Sequence, residues 1–175
     1  MSPTLLPGDL ILAVKPYGVY GTNGRTLPFH FGGDHPQRGD VVLFRADVAG
    51  ESDRVFVKRV IAGPGDRIDF TGSGYIVNGA PPQLRKLDDA AVNGAGVFSE
   101  EADGRSYTVA LQGDAPRVSG RLRVPEGYYF VMGDNRHRST DSRMFGAVRE
   151  DAIFARAWRV LHNPGVSQRA GRAID

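Results

Sequence analysis

Short apolar runs broken by Gly, Pro and Asp dominate the chain, and few segments carry the three-to-four spacing of an amphipathic helix. Leu10 to Val14, Val41 to Phe44, Val55 to Ile61, Tyr75 to Val77, Tyr107 to Leu111, Tyr128 to Met132 and Ala155 to Leu161 read as strands. Turn signals separate several of them: Pro7-Gly8-Asp9, Arg38-Gly39-Asp40, Gly63-Pro64-Gly65-Asp66 and Pro125-Glu126-Gly127. Helix is confined to a turn or two at Ser142 to Phe145 and Arg149 to Ile153. The pattern predicts a mainly β chain built from antiparallel sheet with little helix. Residues 17–37 and 78–106, rich in Gly and Pro, read as an irregular loop and as an extended or inserted segment. Residues 163–175 are polar and are expected to fray. The chain thus divides into a β core from 1–70 and 120–162, an inserted β excursion or extended loops over 71–119, and a flexible tail over 163–175.

Within this frame two segments carry chemistry. In the run Arg54-Val55-Phe56-Val57-Lys58-Arg59-Val60-Ile61, strand alternation puts Phe56, Lys58 and Val60 on one face and Val57 and Arg59 on the other. A lysine between apolar neighbours is desolvated, which disfavours its ammonium form and suits it to accept a proton near neutral pH. The bland alternative is a lysine reaching past the strand edge into water. The second segment runs from the apolar Tyr128 to Met132 into Gly133-Asp134-Asn135-Arg136-His137-Arg138-Ser139-Thr140-Asp141-Ser142-Arg143. Its composition fits either a well-capped turn or a rigid loop in which Ser139 orients an amine while Asp141 and Arg143 brace the backbone.

Composition narrows the choices. The chain has 175 residues, enough for one domain with a real core, and only three lysines, Lys15, Lys58 and Lys86, against 19 arginines. It has no cysteine, which excludes disulfides, thiolate metal sites and a cysteine nucleophile. His30, His35 and His162 lack partners at metal-ligand spacing, so no metal or other cofactor is expected. The net charge of +2 hides an asymmetry. Residues 1–116 hold 11 basic and 14 acidic side chains, giving −3, whereas 117–175 hold 11 and 6, giving +5. A basic face of this kind suits an anionic membrane surface, and without a groove-reading helix motif no nucleic-acid partner is expected. No apolar run approaches the about 18 residues of a spanning helix, and no signal peptide opens the chain, so the sequence alone reads as soluble.

Four ordered boxes resemble the bacterial type I signal peptidases, membrane-anchored serine/lysine proteases. They are Pro3-Thr4-Leu5 with Gly8-Asp9, Arg38-Gly39-Asp40-Val41-Val42, Lys58-Arg59-Val60 with Gly63-Pro64-Gly65-Asp66, and Gly133-Asp134-Asn135-Arg136 with Ser139-Thr140-Asp141-Ser142-Arg143. The resemblance covers roughly residues 1–70 and 120–160. It implies Lys58 as general base, Ser139 as the hydroxyl that orients its amine, and Asp134, Asn135, Asp141 and Arg143 as supports of the active-site loop. It further implies a periplasm-facing domain at the inner membrane that acts on preprotein signal peptides, near anionic lipid, as a monomer.

The family's nucleophilic serine stands three residues before the proline that is Pro3 here, so it falls just before Met1. The chain is therefore expected to be an N-terminally truncated catalytic domain without its anchor, inactive as written. Ser2 is two positions away, about 6–7 Å along an extended chain, and is not expected to replace it. His137 and Arg138 stand where the family carries Asp and Asn, and are expected to depress the lysine pKa further. Two other readings remain: a conjugation-type pilin-maturing peptidase of the same chemistry, and a non-catalytic peptide-binding β module.

Overall fold

The structure is a computed structural model that describes residues 1–14, 35–48, 51–72, 74–92, 94–112 and 118–174. Most of the predicted loop at 17–37 lies outside these residues, as do Lys15 and His30. Twelve strands are seen among the described residues. They are β1 (Leu10–Val14), β2 (Val41–Val48), β3 (Glu51–Ala62), β4 (Arg67–Thr71), β5 (Gly74–Val77), β6 (Gln83–Val92), β7 (Ala95–Ala102), β8 (Arg105–Leu111), β9 (Ser119–Arg123), β10 (Tyr128–Met132), β11 (Val148–Arg149) and β12 (Ile153–His162). The single α-helical turn among them, α1, is Ser142–Phe145, and Glu150–Ala152 and Ser167–Arg169 form 3₁₀ turns.

An antiparallel sheet in the order β1-β12-β2-β3-β10-β11 forms the main body. Its centre is buried on both faces, and β10 shows why its sequence is apolar without alternation. Tyr129 and Val131 pack with Val42, Phe44, Val60, Val148 and Ile153. Phe130 and Met132 pack the other way, with Ile61, Ala62, Ile68, Tyr75, Val77 and Val124. A third cluster, of Leu5, Val41, Ala157 and Val160, gathers Met1, Val57 and Ile174 around it and so seats the N-terminal segment on the sheet.

Two smaller antiparallel sheets complete the molecule, β5-β4-β9 and β6-β7-β8. The first joins β4 to β9, so the sequence divisions near 70 and 120 cut through one sheet. Gly120 marks a close approach inside β9 rather than a turn: a Cβ there would lie 2.6 Å from Phe70 Cζ on the facing strand. The second sheet takes up much of the segment read as extended or inserted over 78–106. Asp103 and Gly104, at φ 53° and 72°, make the two-residue turn between β7 and β8, with Ala102 facing Arg105.

The tail departs from the sequence expectation. Residues 163–174 do not fray but fold back onto β12, with Val160 N–H donating to the Arg172 carbonyl, Gly171 N–H to Val160 and Ile174 N–H to Trp158, at 2.9, 2.8 and 3.0 Å. The polar composition that suggested fraying supplies these bonds and the ion pair of Arg169 with Asp9.

Candidate active site

The site forms where β10 ends beside β3. Met132 pairs with Arg59, so the chain leaves the sheet at Gly133 alongside Lys58. Lys58 is half-buried, and its Nζ stands 5.9 Å from the centre of the Phe56 ring, on the face that Phe56 and Val60 share. Gly133 leaves room for Ser139 to approach. A Cβ at position 133 would lie 2.2 Å from Ser139 Oγ and 3.7 Å from Lys58 Nζ, so the hydroxyl and the amine are neighbours across a residue that has no side chain. Ser139 Oγ is buried and lies close to the Asp141 carboxylate.

Asp141 braces this corner. Its carboxylate caps α1 and accepts from Arg143 Nε and Nη2 at 2.8 and 2.7 Å and from Gly133 N–H at 3.1 Å. Arg143 reaches on to the Gly72 carbonyl at 2.8 Å, and the Ser142 hydroxyl accepts from Val131 N–H at 2.9 Å. The loop is thereby tied to the end of β4 and to β10. Burial pushes the Asp141 carboxyl up, but the hydrogen bonds and charge of Arg143 outweigh it and hold it below the usual carboxylate range, with Ser139 close enough to help.

Asp134 does equivalent work on the other side of β3. It is fully buried and accepts from Arg59 Nε and Nη2 at 2.9 and 2.8 Å, and from the Thr4 hydroxyl. Arg59 also donates to the Gly39 carbonyl at 2.7 Å and stacks 3.9 Å from the Tyr107 ring centre. Asn135 is buried, yet its side-chain oxygen has no partner; its backbone is the part that pairs, bridging in parallel to Ala110. Arg136 donates to Glu100 at 2.6 Å, and the same carboxylate oxygen accepts from Tyr75 and Tyr107.

Burial lowers the Lys58 pKa below the usual amine range. Asp141 opposes that shift and Arg143 adds to it. The positive charges that bear most on Lys58 are Arg143 and Arg54, which corrects the sequence expectation that named His137 and Arg138. His137 is itself pushed down by burial and by Arg138, towards a neutral ring that adds no charge. The Met1 amino group is also lowered, first by burial and then by Lys58, so the two amines lie within electrostatic reach of each other. The Ser2 hydroxyl donates to the Leu5 carbonyl at 3.3 Å.

A half-buried amine with a depressed pKa, braced by two carboxylate–guanidinium pairs, is equipped to accept a proton. Among the described residues no group of three or more His, Cys, Asp or Glu side chains could hold a metal ion. Sequence reasoning gave no role to Gly133, Thr4, Arg59, Arg136 or Glu100. All but Glu100 stand in the ordered boxes, which was the legible signal.

The model of the family described as signal peptidase, peptidase S26, matches residues 1–161. The chain belongs to this family. Signal peptidase I of Pseudomonas fluorescens is 31% identical over 176 residues, covering 91% of this chain and 61% of the relative. Signal peptidase IB of Staphylococcus aureus is 33% identical over 157 residues, covering 89% of this chain and 70% of the relative. A crystal structure of a signal peptidase I from Enterococcus faecalis V583 is 28% identical and superposes with a TM-score of 0.42 over 69% of this chain and 95% of its own. The chain thus spans about three fifths of the length of the Pseudomonas relative. No helix among the described residues is long and apolar enough to cross a membrane.

Proposed function

We propose that this domain cleaves signal peptides from exported preproteins by serine/lysine acyl transfer, with Lys58 as the general base for a serine hydroxyl presented at the Met1 end of the site. The observation that carries this reading is the depressed Lys58 amine standing beside Gly133 and Ser139 on one side and within reach of the Met1 amino group on the other. A residue joined to Met1 enters the site where that amino group now is.

Neutral Nζ takes the proton of the serine hydroxyl as its oxygen attacks the scissile carbonyl carbon. The ammonium then returns the proton to the departing amine, leaving an acyl-enzyme. Water, deprotonated by the same amine, attacks the acyl carbon and regenerates the hydroxyl. Ser139 orients the amine, and Asp141 with Arg143 keeps Ser139 in place. Asp134 with Arg59 anchors the N-terminal segment through Thr4. The substrate is an extended peptide presented at the outer face of the inner membrane, next to anionic lipid.

The test is to insert a serine codon directly before Met1, behind an apolar anchor, and to follow cleavage of a preprotein. Cleavage is expected, and Lys58→Ala is expected to abolish it. Because the neutral amine is the active form, kcat should rise with pH through a midpoint below the ordinary lysine value of 10.5 and level off above it. Cleavage that survives Lys58→Ala sinks the assignment.

A further inference from the structure

The reach of the family model ends at residue 161, but the fold does not. Residues 163–174 return across β12 and meet the N-terminal segment, and the contacts are charged and buried. Arg169 Nε donates to Asp9 Oδ1 at 3.0 Å, and its Nη2 to Asp9 Oδ2 at 2.6 Å and to the Thr4 carbonyl at 2.7 Å. The two side chains are 8% and 2% exposed, so this pair is shielded from water. Asn163 Nδ2 adds a bond to Asp9 Oδ1 at 2.7 Å and one to the Pro7 carbonyl at 3.3 Å, while Leu6 N–H donates to Asp9 Oδ2 at 2.8 Å. Asp9 therefore has both oxygens occupied, by the tail and by its own turn.

Thr4 is the point where two systems meet. Its carbonyl is held by Arg169 of the tail and its hydroxyl by Asp134 of the active-site loop. Three residues from Met1, the backbone is gripped from opposite sides. Ile174 reaches the apolar cluster that includes Leu5 and Met1, which closes the ring of contacts around the segment. The tail itself is not a loose strap, since Gly171 at φ 80° turns it into the ladder with residues 158–160.

We infer that residues 163–174 form a clasp whose Arg169 is a positioning residue for the reaction, fixing Thr4–Asp9 so that the Met1 end of the segment stays beside Lys58. This rests on the function proposed above. A fork-shaped guanidinium suits the task because it can hold a carboxylate with two donors and a carbonyl with the same nitrogen, whereas a lysine offers a single point.

The experiment compares Arg169→Gln and Arg169→Lys with the parent in two readouts. Amide hydrogen exchange is followed at Leu5, Leu6 and Asp9 against Val42, Phe44 and Val131, and kcat and KM are measured in the serine-extended, anchored chain. For Arg169→Gln we expect exchange at Leu5 and Leu6 to rise at least tenfold with the three sheet amides unchanged. We expect kcat to fall at least tenfold with KM within twofold, and Arg169→Lys to lie between. Unchanged exchange at Leu5 and Leu6 overturns the clasp. An equal rise at Val42, Phe44 and Val131 also overturns it, because the tail then supports the whole sheet and not one segment. Freed amides with unaltered kcat overturn the positioning role. If the serine-extended parent does not cleave at all, the catalytic reading fails, and the exchange result still decides whether the clasp exists.

Discussion

Asp134→Asn tests the polar centre most directly. The carboxylate takes two hydrogen bonds from Arg59 and one from Thr4, and neither Asp134 nor Arg59 has any exposed surface. An amide of the same shape keeps one acceptor but turns an NH₂ towards a guanidinium that can only donate. Arg59 keeps the Gly39 carbonyl and the Tyr107 ring, yet it loses the carboxylate that neutralises it. Removing one member of a buried ion pair costs about 3–5 kcal/mol. Against a total stability of about 5–15 kcal/mol this is severe, and it should lower the melting temperature by about 10 °C. Urea unfolding followed by far-ultraviolet circular dichroism should show the midpoint fall with the slope preserved. Replacing both partners, Arg59→Met with Asp134→Leu, should recover a large part of the loss, because neither partner is then left as an unpaired buried charge. A loss below about 1 kcal/mol for Asp134→Asn, or a double variant no better than the single one, would refute the reasoning.

Two further outcomes rest on particular contacts. Gly133→Ala places a methyl 2.2 Å from Ser139 Oγ, so it should displace Ser139, cut kcat at least tenfold in the serine-extended chain and cost about 1–3 kcal/mol; kcat within twofold of the parent would show that Ser139 need not stand there. Asp9 is raised by burial, but the bonds from Arg169, Leu6 and Asn163 prevail and hold its carboxyl at about 2, against 3.8 in the unfolded chain. Its contribution is complete above the unfolded value and is lost as the pH falls from there through the folded one. Stability should therefore drop by about 2 kcal/mol from this group, and acid unfolding curves of Asp9→Asn should lack that component.

What could be read from the sequence depended on whether side-chain pattern or backbone pairing made the element. Lys58 was legible because Phe56 and Val60 mark its face by alternation, and the structure puts Phe56 and Val60 in one cluster with Lys58 Nζ close to the Phe56 ring. β6 was not legible: Gln83-Leu84-Arg85-Lys86 is a largely exposed stretch whose pairing with β7 rests on main-chain bonds. The Asp103-Gly104 turn was present in the sequence as a hairpin signal, but it stood inside a segment read only as extended or inserted. At the site, the box order located Ser139, Asp141 and Arg143 in one loop, yet it could not show that Gly133 is the surface on which the hydroxyl and the amine meet. The tail was misread because composition records polarity and not partners: Asn163 and Arg169 are polar, and both are buried.

The bridge between Ala110 and Asn135 is made of main chain alone. Ala110 N–H donates to the Asp134 carbonyl at 2.9 Å, and Arg136 N–H donates to the Ala110 carbonyl at 3.0 Å. These two bonds belong to the peptide groups, but Ala110 is fully buried, so a larger side chain there would have to displace its neighbours. β8 thus holds the Asp134–Arg136 stretch by its backbone as well as through its buried Tyr107 and the buried Glu100 of β7, provided the strand keeps its length. An insertion within β8 should break that register and shift the Asp134–Arg136 stretch relative to β3.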